Sequence, residues 1–446
     1  MSQPRIIALD AIIDILERNQ HADDVLSSVL NSHNLKKKDK ALVTELVYGV
    51  TRNKLTLDFL LSKISKNDIK NLSFKIRNIL RLGLYQLEFT RIPEYAAVNS
   101  SVEITKKTES KQAASFVNAV LRNIIKKRHT IKFPKLIKNP DYALSIRYSH
   151  PKWLVKRWLE RFGLDCTIRL LSYNNMPAQT TININYLKTT IEEVIETFKA
   201  EGIHPVISEI SPSCLKIGNI GSVTQLPGFY DGHWFVQDEL SSLVVDILAP
   251  EENDLIIDMC AAPGVKTIKM SNYMNNKGRI IALDKNDARL KKIEENCYRL
   301  GTTNIECLCE DSTLFSLPQD SLADKILIDA PCTNTGVLSK RADARWNRRP
   351  ADLEKLSKLQ SKLLSNATNC LKPEGIIVYS VCSIEPEEGI NIIEQFIKDN
   401  PNFSLLNLKE KLPESLKNTF KTDYIQFLPF EHLTDGFFIA SVKKLY

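Results

Sequence analysis

The chain has 446 residues, 43% of them hydrophobic and 25% charged, and is too long for one ordinary core, so two or three domains are expected. No apolar run reaches the ~20 residues of a membrane span, and the first residues lack a secretory signal pattern. Nine scattered cysteines and seven histidines show no metal-like spacing. We therefore expect a cytoplasmic protein with reduced thiols and no bound metal.

Positive charge is concentrated in the first third of the chain. Residues 1–150 contain 26 Lys and Arg against 14 Asp and Glu, whereas the remainder contains 34 against 39. This asymmetry favours a module that meets a polyanion, although a solvated helical surface would show the same imbalance.

The first 235 residues predict two different kinds of domain. Residues 1–140 are expected to be all helical, since apolar residues recur at spacings of three and four, and two prolines and several lysines within 129–142 indicate a linker. Residues 141–235 mix helical segments with alternating ones such as "TTININY", which predicts a small α+β, RRM-like unit. Its first helix is predicted to open at Ser149, with Pro151 near the first turn.

From 236 to 446, short apolar segments alternate with helical ones, as in a doubly wound parallel α/β sheet covered on both faces. Ligands of such sheets bind beyond the carboxyl ends of the strands. The five predicted strands run into "DMCAAPGVKT", "ALDKND", "CEDST", "IDAPCTNTG" and "YSVCSIEPEE". Four of these ends carry a carboxylate, namely Asp258, Asp284, Asp311 and Asp329.

The loop after the first of these strands predicts a nucleoside site. Its small residues allow a ligand close to the backbone, and Asp284 follows Gly264 at the spacing of a ribose-binding acid. Neither GxGxxG nor a P-loop is present, so a nucleoside without a polyphosphate fits best, and S-adenosylmethionine is the obvious candidate. The alternative for Asp284 is a helix N-cap.

Cys332 and Cys382 follow the fourth and fifth predicted strands. These strands are neighbours in a doubly wound sheet, so both thiols and Asp329 should meet in one crevice. Such a set suits methylation of a pyrimidine, because a thiolate added to C6 makes C5 nucleophilic and an acid relieves charge at N3. Taken alone, Cys382 would be a buried hydrophobe, and a redox pair is a minor alternative.

The same motifs, "DMCAAPGVKT", "DAPCTNTG" and "YSVCSIEPEE", resemble the signatures of the RNA cytosine-C5 methyltransferase family. "RLGLYQLEFTRIPEYAAVNSSVEI" and "FVNAVLRN" resemble the NusB-type helical RNA-binding domain that precedes one bacterial member, and "LPGFYDGHWFVQDELSSLVVDIL" and "DGFFIASVKK" also match that member. The resemblance covers essentially the whole chain. It implies a NusB-like domain at 1–140, the α+β unit at 141–235 and a Rossmann-like class I methyltransferase domain at 236–446.

The resemblance also implies an activity and residue roles. The activity is methylation of C5 of a cytosine in 16S rRNA, namely cytosine 967. Cys382 would attack C6, and Cys332 would assist product release. S-adenosylmethionine would lie on Cys260, Ala261, Ala262, Pro263, Gly264, Val265, Lys266, Asp284, Asp311 and Asp329. Asp329 could instead, or also, bind the cytosine, and Lys266 could orient the donor or meet the cytosine. The base for the C5 proton stays unassigned.

Three positions depart from the family pattern. Val265 replaces a glycine, so the loop must keep a conventional backbone there or donor affinity would suffer, since valine disfavours positive φ. Glu310 precedes Asp311 where the family has glycine, and Gly389 replaces an asparagine. None of these positions is a thiol or Asp329, so activity is expected.

Two further segments have open interpretations. "KRADARWNRRP" at 340–350 offers Arg341, Arg345, Trp346, Arg348 and Arg349, which favour RNA contact over a plain solvated loop. Basic segments at 122–129 and 132–138 could track phosphates or simply end a helix. Glu385, Glu387 and Glu388 could cap the next helix or orient the catalytic loop. A monomer is expected. Methylation of another RNA such as tRNA, and a catalytically silent RNA-binding assembly factor, are the rival functions.

Overall fold

The computed structural model describes residues 3–65, 69–218 and 223–446. These residues form sixteen α-helices, and none of the helices is both long and apolar enough to cross a lipid bilayer. The helices are α1 (Gln3–Glu17), α2 (Ala22–Ser32), α3 (Lys37–Ile64), α4 (Phe74–Phe89), α5 (Glu94–Thr108), α6 (Lys111–Lys127), α7 (Pro140–Tyr148), α8 (Lys152–Tyr173), α9 (Ile191–Ala200), α10 (Glu239–Leu248), α11 (Val265–Tyr273), α12 (Asp287–Leu300), α13 (Ala344–Asn347), α14 (Pro350–Cys370), α15 (Ile390–Asp399) and α16 (Pro429–His432).

Twelve strands lie within the same described ranges. They are β1 (Thr180–Ile184), β2 (Val206–Ile207), β3 (Cys214–Gly218), β4 (Trp234–Val236), β5 (Leu255–Asp258), β6 (Arg279–Leu283), β7 (Ile305–Leu308), β8 (Ala323–Asp329), β9 (Leu371–Val381), β10 (Phe403–Leu405), β11 (Ile425–Phe427) and β12 (Phe437–Lys444).

The chain divides into two compact units. The first comprises the residues up to Met176 together with Leu338–Arg348, and the second comprises Pro177–Val337 and Arg349–Tyr446. The boundaries at 140 and 235 stay a prediction.

Within its described residues the first unit contains helices and no strand, which confirms the periodicity argument. The apolar sides of α1, α3 and α4 share one core that includes the fully buried Leu46, Leu57 and Leu80. Side-chain caps define two helix starts, because the hydroxyls of Ser73 and Ser110 accept hydrogen bonds from the backbone three residues on.

The expected helix start at Ser149 is wrong. Ser149 has φ +54 and terminates α7, and α8 begins at Lys152 after Pro151. Pro151 fixes its own φ and lacks an N–H that the first turn would leave unsatisfied. A serine that ends one helix closely resembles, in sequence, a serine that begins the next.

The second unit contains two sheets. The smaller has the order β2-β3-β1-β4 and antiparallel pairing. The larger has the order β10-β12-β9-β8-β5-β6-β7, with β11 on β12. Strands β5 to β9 pair in parallel, as predicted, whereas β10, β11 and β12 extend the sheet antiparallel and were not predicted.

The register of the large sheet places the fourth and fifth predicted strand ends side by side. β8 and β9 are parallel neighbours with Asp329 opposite Ser380, so Cys332 and Cys382 both follow at the same edge. Ile257 and Ile326 are fully buried at the centre of the sheet, as expected for parallel strands covered on both faces.

Arg345, one of the arginines predicted to contact RNA, is instead fully buried in the first unit, whereas Arg341 and Arg349 are exposed and their predicted RNA contact stays a prediction. The Arg345 guanidinium donates to the Asn175 Oδ1 at 2.7 Å, to the Ser149 carbonyl oxygen at 3.2 Å and to the Asn174 carbonyl oxygen. The nearby Trp346 indole donates to the Thr51 carbonyl oxygen at 2.7 Å. Burial lowers the pKa of Arg345.

Candidate active site at the carboxyl edge of the large sheet

The loop after β5 turns sharply into the N-terminus of α11. Gly264 has φ +97, and a Cβ there would lie 2.9 Å from the Ile293 side chain, so this position requires glycine. Val265 is the first residue of α11 and has a helical backbone. The departure from the family glycine is therefore accommodated with a conventional backbone, as the sequence required.

Asp258 supports this loop from beneath. It is 1% exposed and accepts hydrogen bonds from the Thr267 hydroxyl at 2.8 Å and, at 3.4 Å, from the Cys260 N–H. Burial raises the pKa of Asp258 to about 6. Of the four strand-end carboxylates, this one is enclosed and braces the start of α11.

Asp284 lies just beyond β6 but does not cap the following helix. The N-cap of α12 is Asn286, whose side chain accepts from the Arg289 N–H at 3.2 Å. One Asp284 oxygen accepts from the Asn286 N–H at 2.9 Å, and the other lies 3.1 Å from the Arg289 Nη1. The N-cap alternative is therefore wrong.

The sequence pattern did not identify Arg289, although this residue connects the loop after β5 with Asp284 beyond β6. Besides its ion pair with Asp284, its guanidinium donates to the Ala262 carbonyl oxygen at 2.6 Å. It lies five residues beyond Asp284 in "DKNDAR", on the first turn of α12. A basic residue in a helical pattern gives no local signal that it reaches back to another loop.

Asp311 follows β7 at the same edge and is one-third exposed. Its carboxylate lies 2.9 Å from the Lys285 Nζ and accepts from the Thr313 N–H and hydroxyl at 2.9 and 2.7 Å. These hydrogen bonds, that from Lys285 first, lower the pKa of Asp311 to about 2. The carboxylate is therefore ionised at neutral pH, which suits binding of hydrogen-bond donors.

Asp329 ends β8 and joins three elements. Its Oδ2 lies 2.5 Å from the Lys266 Nζ on α11, and its Oδ1 accepts from the Ser380 hydroxyl on β9 at 2.8 Å. The Asp329 side chain is 30% exposed and that of Lys266 is 10% exposed. The ion pair thus lies at the mouth of the crevice with one carboxylate partly open to solvent.

The two predicted thiols are in contact. The Cys332 Sγ and the Cys382 Sγ are 3.2 Å apart, and the Cys382 thiol donates to the Asn334 Oδ1 at 2.9 Å. Cys332 is buried and Cys382 is half-buried. The hydrogen bond with Cys382, and then burial, raise the pKa of Cys332. The expectation that both thiols share one crevice is confirmed, while Asn334 was missed.

Glu388 holds the Cys332 loop in place. It is fully buried and accepts from the Thr333 N–H at 2.8 Å, from the Thr333 hydroxyl and from the Gln360 amide at 3.3 Å. Burial raises the pKa of Glu388. Of the two predicted roles for the glutamates, orientation of the catalytic loop is the one that these contacts support for Glu388. At Gly389, an added Cβ would lie 3.0 Å from the Phe438 ring.

The residues at this edge fit a nucleoside donor that carries a methylsulfonium group. Ala261 and Ala262 offer small side chains beside Gly264, which leaves room for close approach to the backbone. Carboxylates of Asp284 and Asp311 lie at successive strand ends, where ribose hydroxyls are bound in such folds. Within the described ranges, no group of three or more His, Cys, Asp or Glu side chains could hold a metal ion.

Comparison with known proteins agrees with this geometry. A model described as "16S rRNA methyltransferase RsmB/F" matches residues 245–443, and a NusB family model matches 2–126. A ferredoxin-like domain model of RsmF/B-like methyltransferases matches 150–224. The "Probable ribosomal RNA small subunit methyltransferase B" of Bacillus subtilis is 34% identical over 443 residues, 99% of this chain and 98% of the relative. The chain belongs to the RsmB/F family of 16S rRNA methyltransferases.

Other relatives and solved structures extend the match. The ribosomal RNA small subunit methyltransferase B of Pasteurella multocida is 31% identical over 447 residues, 99% of this chain and 96% of the relative. The crystal structure of PH0851 matches with a TM-score of 0.83 at 27% identity and covers 98% of both chains. NSun6 from Pyrococcus horikoshii, solved with SFG, matches with a TM-score of 0.59 at 25% identity, over 66% of this chain and 98% of NSun6.

The family assignment confirms several predictions. The chain is an S-adenosyl-L-methionine-dependent rRNA methyltransferase of this family, with a NusB domain, a ferredoxin-like domain and a Rossmann-like methyltransferase domain. The family assignment weakens the alternative that the chain is a catalytically silent RNA-binding assembly factor.

Proposed function

We propose that this protein methylates carbon 5 of a cytosine in 16S rRNA, cytosine 967 by resemblance, through a covalent bond between Cys382 and cytosine C6. We further propose that it acts in the cytoplasm as a monomer. The observation that carries the proposal is the pair of thiols, with Sγ atoms 3.2 Å apart beyond β8 and β9. S-adenosyl-L-methionine supplies an electrophilic methyl group when bound.

The arrangement supports a first step in which Cys382 is the nucleophile. Its thiol donates a hydrogen bond to the Asn334 Oδ1, and its sulfur lies in contact with that of Cys332. Once the thiol proton has passed to solvent, the thiolate sulfur adds to C6 and makes C5 nucleophilic. Cys382 is half-buried, in contrast to the buried Cys332, and is therefore the thiol that a cytosine ring can reach.

Asp329 and Lys266 are suited to hold the cytosine during addition. Nucleophilic attack at C6 builds negative charge towards N3, and a hydrogen-bond donor there stabilises it. The pair offers one carboxylate and one ammonium at the open side of the crevice. We propose that the Asp329 carboxylate accepts a hydrogen bond from the amino group of the cytosine and that the Lys266 ammonium, paired with Asp329, supplies the donor towards N3.

Cys332 is proposed to assist the final step. After the C5 proton has been removed, the Cys382 sulfur must leave C6 as its bond breaks. Cys332 lies in contact with that sulfur and has a raised pKa, so its thiol is protonated at neutral pH and can donate a hydrogen bond to the departing sulfur.

The donor is proposed to occupy the residues from Cys260 to Lys266 together with Asp284 and Asp311. Arg289 currently binds one oxygen of Asp284, so a ribose hydroxyl would compete with that contact. We also propose that the methyltransferase domain, which contains this donor site, begins near residue 236.

The test is analysis of nucleosides from a 16S rRNA fragment treated with the protein and S-adenosyl-L-methionine. We expect 5-methylcytosine at one position, and its loss in the Cys382→Ala variant. Methylation at cytosine N4, or full 5-methylcytosine formation by that variant, would contradict the proposal. Methylation of tRNA in preference to the fragment would favour the rival substrate.

A further inference from the structure

A cavity lies away from the thiols, where the end of β1 meets the C-terminal half of α11. It has a volume of about 270 Å³, and Asn183, Tyr186, Ser213, Lys269, Asn272 and Tyr273 line it. Asn272 follows Lys266 by six residues on α11, about 9 Å along the helix axis at 1.5 Å per residue. The cavity is therefore distinct from the proposed target site.

Asn272 gives this cavity an unused acceptor. The residue is 8% exposed, and its amide nitrogen donates to the Ile268 carbonyl oxygen at 3.0 Å. Its Oδ1 is buried and has no hydrogen-bond partner. Buried polar atoms are almost always paired, so an unpaired one on a residue that lines a cavity points to a ligand with an N–H or O–H group, which reaches it when the amide turns towards the cavity.

The only cation among these lining residues is already neutralised. The Lys269 Nζ donates to the Ser242 carbonyl oxygen at 3.0 Å and to the Ser211 hydroxyl at 3.3 Å, and it pairs with Asp246. Lys269 itself is 2% exposed. A phosphate would therefore find no free positive charge from these side chains, which favours an uncharged ligand.

Two tyrosine rings at the cavity supply flat apolar surface. Tyr186 is 51% exposed and Tyr273 is 44% exposed. The Tyr273 hydroxyl donates to the Asp246 Oδ1 at 2.7 Å, which fixes that ring. Exposed aromatic rings beside an unpaired amide oxygen are the groups that bind unstacked bases of single-stranded RNA.

We propose that this cavity binds one unpaired nucleobase of the rRNA substrate, other than the target cytosine. The base would stack on the tyrosine rings and, after a rotation of the Asn272 side chain that exposes its Oδ1, donate an N–H to that oxygen. A volume of about 270 Å³ lies at the lower end of small-ligand pockets, and it suits a single base. The inference rests on the rRNA substrate of the proposed function but not on the covalent chemistry.

The test measures the affinity of the full-length protein for a 16S rRNA fragment that contains the target, with S-adenosylhomocysteine saturating the donor site. Tyr186→Ala and Asn272→Leu are compared with Tyr298→Ala, which removes a tyrosine that is 92% exposed on α12. We expect the first two variants to bind about 5- to 100-fold more weakly, and Tyr298→Ala to bind like the wild type.

Two further readouts separate base binding from other causes. The slope of log K against log salt should not change, because no phosphate contact is lost. Asn272→Leu should change the melting temperature little, since it removes an unpaired buried acceptor together with one side-chain hydrogen bond to the Ile268 carbonyl oxygen. Wild-type affinity in both variants, or a reduced salt slope, would overturn the proposal.

Failure of the two proposals can be told apart. A wild-type protein that forms no 5-methylcytosine, with affinity still lost in Tyr186→Ala, would reject the covalent chemistry and keep the base pocket. Normal 5-methylcytosine formation with unchanged affinity in both variants would reject the base pocket and keep the covalent chemistry.

Discussion

Two adjacent stretches of the chain, Asp329–Val337 and Leu338–Arg348, both carry residues typical of function, yet the structure gives them different surroundings. In the first stretch, Asp329 is partly exposed and Cys332 contacts the half-buried Cys382 at the sheet edge. In the second, Arg345 is enclosed by backbone carbonyls of the first unit. The first stretch places a carboxylate and a thiol at the sheet edge, and the second holds its arginine as part of a core.

The difference shows which sequence signals carry positional information. A residue just beyond a parallel strand must lie at the carboxyl edge of the sheet, whatever its loop does. A cluster of arginines carries no such constraint, because a guanidinium can be buried when enough carbonyl oxygens accept from it.

The largest expected effect is on Cys382. Cys382→Ala removes the proposed nucleophile, so methyl transfer to a 16S rRNA fragment should fall on the order of 10³-fold or more. Cys309→Ala, which alters an exposed cysteine, should leave the rate unchanged. Incorporation of a radiolabelled methyl group measures the rate of both variants. Substantial transfer by Cys382→Ala would show that the thiols beside the first stretch are not needed for methylation, and the proposed contrast between the two stretches would be lost.

The next effect is on Cys332. Cys332→Ala should allow the sulfur of Cys382 to add to C6 but impair its release, so a protein–RNA adduct accumulates and turnover stops after about one event. Denaturing gel electrophoresis detects the adduct. Cys370→Ala is the control, since Cys370 is a buried thiol that donates to the Phe315 carbonyl oxygen at 3.6 Å. An adduct in the control, or normal turnover in Cys332→Ala, would argue against the assignment.

Arg345 tests the other half of the comparison. Arg345→Met leaves several buried carbonyl oxygens without donors and should lower the free energy of unfolding by about 4 kcal/mol. Arg349→Ala, at an exposed position, should change it by less than about 0.5 kcal/mol. Urea unfolding measures both. Unchanged stability in Arg345→Met together with weaker RNA binding would restore the RNA-contact interpretation.

The smallest expected effect concerns the loop after β5. The pKa of Asp258 is raised to about 6 in the folded protein, against about 3.8 unfolded. Its stabilising contribution is therefore fully present below about pH 4 and is lost as pH rises through 6, a cost of up to about 3 kcal/mol at pH 7. Relative to wild type, Asp258→Asn should gain stability between pH 4 and 7, as measured by urea unfolding. A constant difference across that range would contradict the raised pKa.

Much of the site could be predicted because it depends on strand ends. Five short apolar segments marked the parallel strands, and the acids and thiols that follow them are in the neighbouring positions that the topology requires. The family resemblance added roles that spacing alone could not, such as which cysteine attacks.

The rest depended on contacts between distant residues. Asn334 accepts from Cys382 48 residues away, and Arg289 reaches Ala262 27 residues back. Arg345 is buried through partners about 170 to 200 residues earlier. No local pattern encodes these pairings. The predicted helix start at Ser149 was wrong for a local reason, because helix ends and helix starts use the same polar residues.

The most direct test of the central claim is bisulfite sequencing of 16S rRNA from cells that carry either the wild-type gene or its Cys382→Ala variant. We predict one cytosine, the proposed position 967, to be protected from conversion in wild-type cells and fully converted in the variant. Equal protection in both strains would contradict the claim that Cys382 is the nucleophile.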